Sequence, residues 1–291
     1  MSVKALIVGA KGQLGRALCA SVPDGVTILA VDLDEVDITQ PAQVGACLSG
    51  FRPDWVINAA AYTQVDKAES EVAAAEAGNV TGPRNLASAL KAIPNARLIH
   101  VSTDFVFDGR QSTPYRPDAA PAPLGVYGQT KLAGERAVLE ALGTRGLVVR
   151  TAWVYDAVAR NFMRTMLRLM KELGTVRVVA DQIGTPTCTH SLAAVLWAFA
   201  ARPELSGIYH WTDAGVASWY DFAVAIAEEA VACGLLTRMP QLTPIATHEY
   251  PTPASRPAYS VLDKSATHAA LQIAPVHWRV RLREVMTQVR L

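Results

Sequence analysis

The sequence is poor in the features that mark secreted, membrane-spanning and nucleic-acid-binding chains. Its 291 residues hold four cysteines, Cys19, Cys47, Cys188 and Cys233. They are scattered, with no Cys-x-x-Cys pair, so neither a disulfide framework nor a zinc ribbon is expected. Reduced thiols in a cytoplasmic protein are the expectation instead. The formal net charge is only +1, far from the basic footprint of a nucleic-acid binder. Small molecules are the expected partners. The longest apolar stretch, LAAVLWAFAA, is too short to span a bilayer, and no membrane partner is expected. The start, MSVKALIVGA, meets glycine before it builds the long apolar core of a signal peptide. What the chain does have is 51% hydrophobic residues, enough for one large or two modest cores.

Those hydrophobic residues come in short runs. KALIVGA, VTILAVD, DWVINAAA, ARLIHVSTDFVF and LVVRTAWVY read as buried strands, and alanine-rich stretches such as 66–91 and 128–142 read as helices between them. Apolar strands alternating with helices predict a doubly wound, parallel α/β sheet of the Rossmann kind. Past about residue 155 the texture is less regular. NFMRTMLRLMKEL is helix-like, VRVVAD strand-like, and GIYHWTD a returning strand. SWYDFAVAIAEEAVACG opens on a serine N-cap and stops at glycine. TPIATHEYPTPASRPAYS carries too much proline for a long helix. The expected organisation is a dinucleotide-binding domain over 1–155, with returning segments near 181–213, and a smaller α/β lobe over 156–291 that binds substrate.

Gly9, Gly12 and Gly15 recur every third residue directly after the first strand. Glycines there let the backbone turn sharply and approach a pyrophosphate, while the next helix offers its N–H groups and positive dipole end. The spacing resembles the fingerprint of the extended short-chain dehydrogenase/reductase superfamily, whose members bind NAD(H) or NADP(H). Asp32 follows the second strand, 20 residues beyond Gly12. An acid there accepts from a ribose 2′-hydroxyl and repels a 2′-phosphate, which leans toward NADH; the alternative is a solvated strand end. Lys11 and Arg16 are the nearest cations for a 2′-phosphate, so NADPH stays open. Asp37 and Ile38 fall where this superfamily cups the adenine. Ala61, Tyr62 and Thr63, in NAAAYT, follow the third strand at the same carboxyl edge.

VYGQTKLAGE sets Tyr127 and Lys131 four residues apart, on one face of an expected helix. Tyr-x-x-x-Lys is only moderately specific alone; the glycine loop upstream gives it meaning. A free phenol titrates near 10, too high for proton exchange near neutrality, and an adjacent ammonium is expected to pull it down. Ser102 and Thr103 end a strand and can supply a hydroxyl to a substrate carbonyl.

In order and spacing, GAKGQLG, NAAAYTQVDKAES, STDFVFDG, VYGQTKLAGE, RTAWVY, NFMRTML, DQIGTPT and YPTPASRP closely resemble the dTDP-4-dehydrorhamnose reductase family over nearly the whole chain. The resemblance implies NADPH- or NADH-dependent reduction of the 4-keto group of dTDP-4-dehydro-L-rhamnose, the last step toward dTDP-L-rhamnose for cell-surface polysaccharide. It implies Tyr127 as general acid, Lys131 as its partner and Thr103 as the carbonyl-binding hydroxyl. Gly9, Gly12, Gln13, Leu14, Gly15, Asp32, Asp37, Ile38, Ala61, Tyr62, Thr63 and Val101 would line the cofactor. Asp104, Trp153, Asn161 and Arg256 would serve the nucleotide sugar. Ordinary core packing is the alternative for Trp153, and a structural ion pair for Arg256. Phe105 departs from the tyrosine common in the family and keeps the ring. The family includes Mg2+-dependent dimers, but no acidic cluster here assigns a metal; a monomer or homodimer is expected. Two other readings stay open. One is a non-catalytic regulatory subunit of a synthetase, such as that of methionine adenosyltransferase. The other is a nucleotide-sugar epimerase or dehydratase, which usually needs more acid/base residues than Asp104 alone.

Overall fold

In the computed structural model the five apolar runs of the first half become β1 (Val3–Val8), β2 (Val26–Val31), β3 (Trp55–Asn58), β4 (Arg97–Thr103) and β5 (Gly146–Thr151). The structure describes residues 3–290; positions 1, 2 and 291, at the outer bounds of the expected domains, lie outside the described residues. Between the strands run α1 (Gln13–Ala20), α2 (Pro41–Phe51), α3 (Val65–Ala68), α4 (Val72–Glu76), α5 (Gly82–Leu90) and α6 (Val126–Leu142). The second half adds β6 (Val154–Tyr155), α7 (Phe162–Leu173), β7 (Thr175–Val179), β8 (Ile183–Gly184), β9 (Thr187–Cys188) and α8 (Thr189–Ala200). It continues with β10 (Gly207–His210), β11 (Ala217–Ser218), α9 (Trp219–Ala232), β12 (Gln241–Ile245), α10 (Ser265–Leu271) and α11 (Trp278–Met286). Among the described residues no helix is long and apolar enough to cross a membrane.

The main sheet is six-stranded and parallel, in the order β10-β5-β4-β3-β1-β2. The strand order reverses between β1 and β3, so their carboxyl ends splay apart and leave a crevice, the usual ligand position in such sheets. All residues of β3 and β5 are buried, as strands covered on both faces require. One cover is α1 and α8, where Leu14, Leu18, Leu192 and Leu196 pack on Ile7, Ile57 and Ile99. The other is α2, α5 and α6, where Leu48, Leu86, Leu90 and Val138 pack on Leu6, Val56 and Leu98. The second lobe has its own core of Met163, Leu167, Phe222, Ile226, Leu282 and Met286. Its helix α9 opens as expected, with a reciprocal capping box between Ser218 and Asp221.

Two elements differ from the sequence expectation. The helical stretch at 66–91 is broken into α3, α4, a π-helical turn at Ala77–Thr81 and α5. Gly78 and Gly82 lie in this stretch where side chains would collide: a Cβ on Gly82 would meet Ile38 Cδ1 at 2.4 Å. Pro83 then starts α5. The run LVVRTAWVY is also divided, because Trp153 takes a left-handed φ of +49° between β5 and β6. That conformation is an outlier for a bulky side chain.

Helix α6 is pinned to the sheet by a buried ion pair. Arg150 on β5 meets Glu135 on α6 through Nε–Oε1 at 2.9 Å and Nη2–Oε2 at 2.7 Å, and the two side chains are 2% and 1% exposed. The Ser102 hydroxyl on β4 also donates to Glu135, and the guanidinium lies 5.1 Å from the Phe107 ring centre. Removing one partner strands a charge in the interior. Glu135→Leu is therefore expected to cost about 3–5 kcal/mol of stability, read as a lower denaturant midpoint in equilibrium unfolding. An unchanged midpoint would show that α6 does not depend on the pair.

Candidate active site

The glycine loop is shaped by packing as much as by any ligand. Gly9 has φ +82°, and a Cβ on Gly15 would sit 2.0 Å from the Gly9 carbonyl oxygen. Gly12 differs: its Cβ would meet only that oxygen, at 3.2 Å, and the residue caps α1. No side chain caps α1 and its first turn holds no acid, so its leading N–H groups are unspent at the crevice. Residues and backbone there suit an anion such as a pyrophosphate.

Asp32 lies beside the loop with its carboxylate oriented by backbone. Oδ2 accepts from Lys11 N–H at 2.7 Å and Oδ1 from Leu33 N–H at 2.8 Å. Asp37 shapes its own turn, accepting from the Thr39 N–H and hydroxyl at 2.9 and 2.8 Å. Ile38 packs over Gly82 at the same end of the crevice. After β3, Ala61, Tyr62 and Thr63 form the opposite bank. The π-helical turn delivers Asn79 to hold it: Tyr62 N–H donates to Asn79 Oδ1 at 2.9 Å, and Asn79 Nδ2 donates to the Tyr62 carbonyl and the Thr130 hydroxyl. The Tyr62 phenol donates to Glu71 at 2.6 Å, and that bond pushes its pKa up to about 12.

Helix α6 brings Tyr127 and Lys131 to the middle of the crevice. Its start is fixed by Glu69, whose Oε1 accepts from Val126 N–H at 2.9 Å. Tyr127, Lys131 and Glu135 then follow at successive four-residue steps on one face. The Lys131 ammonium is 2% exposed and donates to the Val101 carbonyl at 2.7 Å. Burial drives its pKa down to about 8, against the pull of Glu135. Thr103 donates to Asp104 Oδ1 at 3.1 Å and accepts from Phe105 N–H at 3.1 Å, and it lines the cleft beside Tyr127. Phe105 sets its ring edge against Tyr127, with centroids 5.6 Å apart. Asp104 is 1% exposed, its Oδ2 has no partner, and burial pushes its carboxyl up to about 6.

The phenol itself departs from expectation. Burial raises the Tyr127 pKa to about 12, the Thr103 hydroxyl opposes the rise, and the Asp104 charge adds to it. Lys131 does not lower it, because its ammonium is directed at the Val101 carbonyl. The resting tyrosine is a firmly protonated phenol.

Beyond the reactive groups the cleft is walled by aromatics. Trp153 stacks on Trp219 with ring centres 3.5 Å apart and planes 8° from parallel, and Phe162 lies 4.6 Å from Trp219. Gly184 fits against the Trp153 ring, where a Cβ would come within 2.7 Å of Cε2. One Trp153 face is thus covered by Trp219, a residue with no sequence signal of its own. Asn161 caps α7, accepting from Arg164 N–H at 3.0 Å, and donates to Gln13 Oε1 and the Asp156 carbonyl, both at 2.9 Å. Its amide ties α1 to the second lobe. Arg256 forms a two-pronged pair with Asp66, at 3.0 and 2.9 Å, and donates to the Thr252 hydroxyl. That pair holds the Asp66 carboxyl below its usual range and joins α3 to the proline-rich segment.

All of the sequence-predicted site residues except Gly15 line one cleft of about 1160 Å³. Gly15 lies behind it, against the Gly9 carbonyl. Among the described residues no group of three or more His, Cys, Asp or Glu side chains could hold a metal ion. The unspent N–H groups of α1, the Lys131 ammonium and the orphaned Asp104 oxygen all suit a dinucleotide and a polar substrate lying end to end.

Comparison with known proteins gives the same frame. The dTDP-4-dehydrorhamnose reductase of Aggregatibacter actinomycetemcomitans is 44% identical over 288 residues, 96% of this chain and 97% of that protein. A probable dTDP-4,6-dihydroxy-2-methyloxan-3-one 4-ketoreductase of Streptomyces antibioticus is 42% identical over 98% of this chain and 95% of its own. The crystal structure of dTDP-4-dehydrorhamnose reductase from Bacillus anthracis, in complex with NADP, superposes with TM-score 0.93 at 34% identity, covering 99% of this chain and all of that one. A UDP-glucose 4-epimerase from Thermus thermophilus, at 19% identity and TM-score 0.83, shares the fold. The family model described as the RmlD substrate binding domain matches residues 3–291, and the chain belongs to that family.

Proposed function

We propose that this chain reduces the 4-keto group of dTDP-4-dehydro-L-rhamnose to the alcohol of dTDP-L-rhamnose, using NADH or NADPH. The observation that carries the reading is the meeting of Thr103, Tyr127 and Lys131 in the same cleft as the glycine loop. The hydride for the carbonyl carbon would come from the nicotinamide of a dinucleotide held at the glycine loop. The chain's own groups do the rest. The Thr103 hydroxyl and Tyr127 phenol hold the carbonyl oxygen, and Tyr127 delivers a proton to it as negative charge develops. A phenol with pKa near 12 is a weak acid in the resting site. Its conjugate base forms only as the proton passes to the substrate oxygen, with the Lys131 ammonium one helical turn away as the nearby positive charge. The Trp153–Trp219 wall offers apolar surface to a 6-methyl sugar. Arg256 lines the same cleft, where its guanidinium would exchange part of its pairing with Asp66 for a diphosphate. The four unpaired cysteines support a reducing, cytoplasmic setting.

Tyr127→Phe is expected to lower turnover by about 10²–10⁴-fold while the dinucleotide still binds. The measurement is stoichiometric NADH or NADPH consumption with the keto sugar, beside a binding titration. Wild-type turnover in the variant would remove Tyr127 from the proton step. Stoichiometric consumption also distinguishes a reductase from an epimerase that regenerates its cofactor, and absence of any turnover in wild type would favour the regulatory-subunit reading.

Lys131 contributes only while protonated, so kcat/KM for reduction is expected to fall as pH rises through about 8. A profile flat to pH 10 or so would refute this.

Asp104 has a consequence for stability. Its folded pKa, about 6, lies above the unfolded value of about 3.9, so the native state disfavours its charge. The cost is absent below the unfolded pKa, grows between the two values and is complete above pH 6. Asp104→Asn carries no charge at any pH. It is expected to stabilise the protein by up to about 3 kcal/mol near pH 8 and by little near pH 4, read from unfolding at both. Equal effects at the two pH values would contradict a buried, charged Asp104.

A further inference from the structure

The adenosine end of the cleft carries a charge arrangement that the reduction step does not use. Lys11 sits in the glycine loop, and its ammonium is held by Asp34 and, at 2.9 Å, by Glu35. Glu35 is itself fixed, because its other oxygen accepts from the Asp32 N–H at 2.9 Å. Asp32 completes the group, facing the same loop through the Lys11 N–H. Two carboxylates therefore hold the ammonium and a third, Asp32, holds the backbone of the same residue, while Lys11, Asp32 and Leu33 line the cleft rim. The next cation along the chain, Arg16, is engaged elsewhere. Arg16 donates to the Lys11 carbonyl at 2.9 Å and pairs with Asp156 at 3.2 Å.

A ribose 2′-hydroxyl meets an acceptor at such a rim. A 2′-phosphate meets net negative charge, and the Lys11 ammonium that would receive it is already occupied. The occupation is reversible, since side-chain exposures of 58% for Lys11, 65% for Asp34 and 48% for Glu35 put both pairs in solvent. Exposed pairs of this kind hold little energy, so neutralising the acids leaves the fold intact.

We propose that Asp34 and Glu35 are specificity-determining residues that sequester Lys11 and thereby bias the cleft toward NADH over NADPH. Neutralising both frees the ammonium to receive the 2′-phosphate. This inference rests on the reading of the cleft as a dinucleotide site. Its test needs no sugar substrate.

The test is equilibrium titration of NADH and of NADPH, by calorimetry, onto wild type, D34N/E35Q and K11Q/D34N/E35Q. Glu35→Gln keeps an oxygen to accept from the Asp32 N–H. In D34N/E35Q the ratio of Kd for NADPH to Kd for NADH is expected to fall about tenfold. Adding Lys11→Gln is expected to return most of that gain. An unmoved ratio in the double variant would overturn the inference, and so would a gain that survives loss of Lys11. If wild type binds neither dinucleotide, the underlying reading fails and takes this inference with it. If wild type binds both and the ratio does not move, only this inference fails.

Discussion

The geometry of the candidate site depends on two charges buried away from it. Glu135 and Arg150 meet between α6 and β5 with almost no exposure, and Ser102 and the Phe107 ring take up the remaining faces. Burying a carboxylate and a guanidinium is expensive, and a well-packed apolar pair would hold a helix about as well. The ion pair adds direction. Two parallel N–H···O bonds fix α6 in both rotation and register, which apolar contacts leave looser. Since Lys131 and Tyr127 lie one and two turns before Glu135, that orientation is passed along the helix to the ammonium and the phenol. The Glu69 cap fixes the other end.

The rest of the site stands in some tension with folding. Lys131 and Asp104 are both held where their charged forms are disfavoured, and Trp153 occupies a backbone region that bulky residues avoid. Each is a local cost, and the layered cores on either side of the sheet offset it. The aromatic stack explains the tryptophan. The left-handed turn breaks the strand and lays the indole flat on Trp219 at the cleft wall.

What could be read from the sequence was what chemistry places at short, regular spacing. The glycine triplet, the acid after β2 and the Tyr–Lys pair each lie within one strand-turn-helix unit, so their neighbours in sequence are their neighbours in space. The strand alternation revealed the sheet for the same reason. Pairs that close only on folding left no such trace. Arg150 reaches Glu135 across 15 residues, Arg256 reaches Asp66 across 190, and Asn161 reaches Gln13 across 148. Trp219 and Asn79 had no local pattern at all. The expected effect of Lys131 on Tyr127 failed because a four-residue spacing sets proximity on a helix face and not the direction of a long side chain. Lys131 found the Val101 carbonyl instead.

The position of β10 and α8 in the chain has a consequence for how the molecule is made. Residues 207–210 supply an edge of the main sheet, and Leu192, Leu196 and Trp197 cover one of its faces. Synthesis runs from the amino end, so a nascent chain that has emerged only through β5 has an open strand edge and an uncovered apolar layer. Such surfaces pair readily with other chains. The first half of the polypeptide cannot close as an independent unit ahead of the second. The glycine loop and the Tyr–Lys helix are therefore synthesised early, and the sheet that carries them is completed only after the ribosome has passed His210.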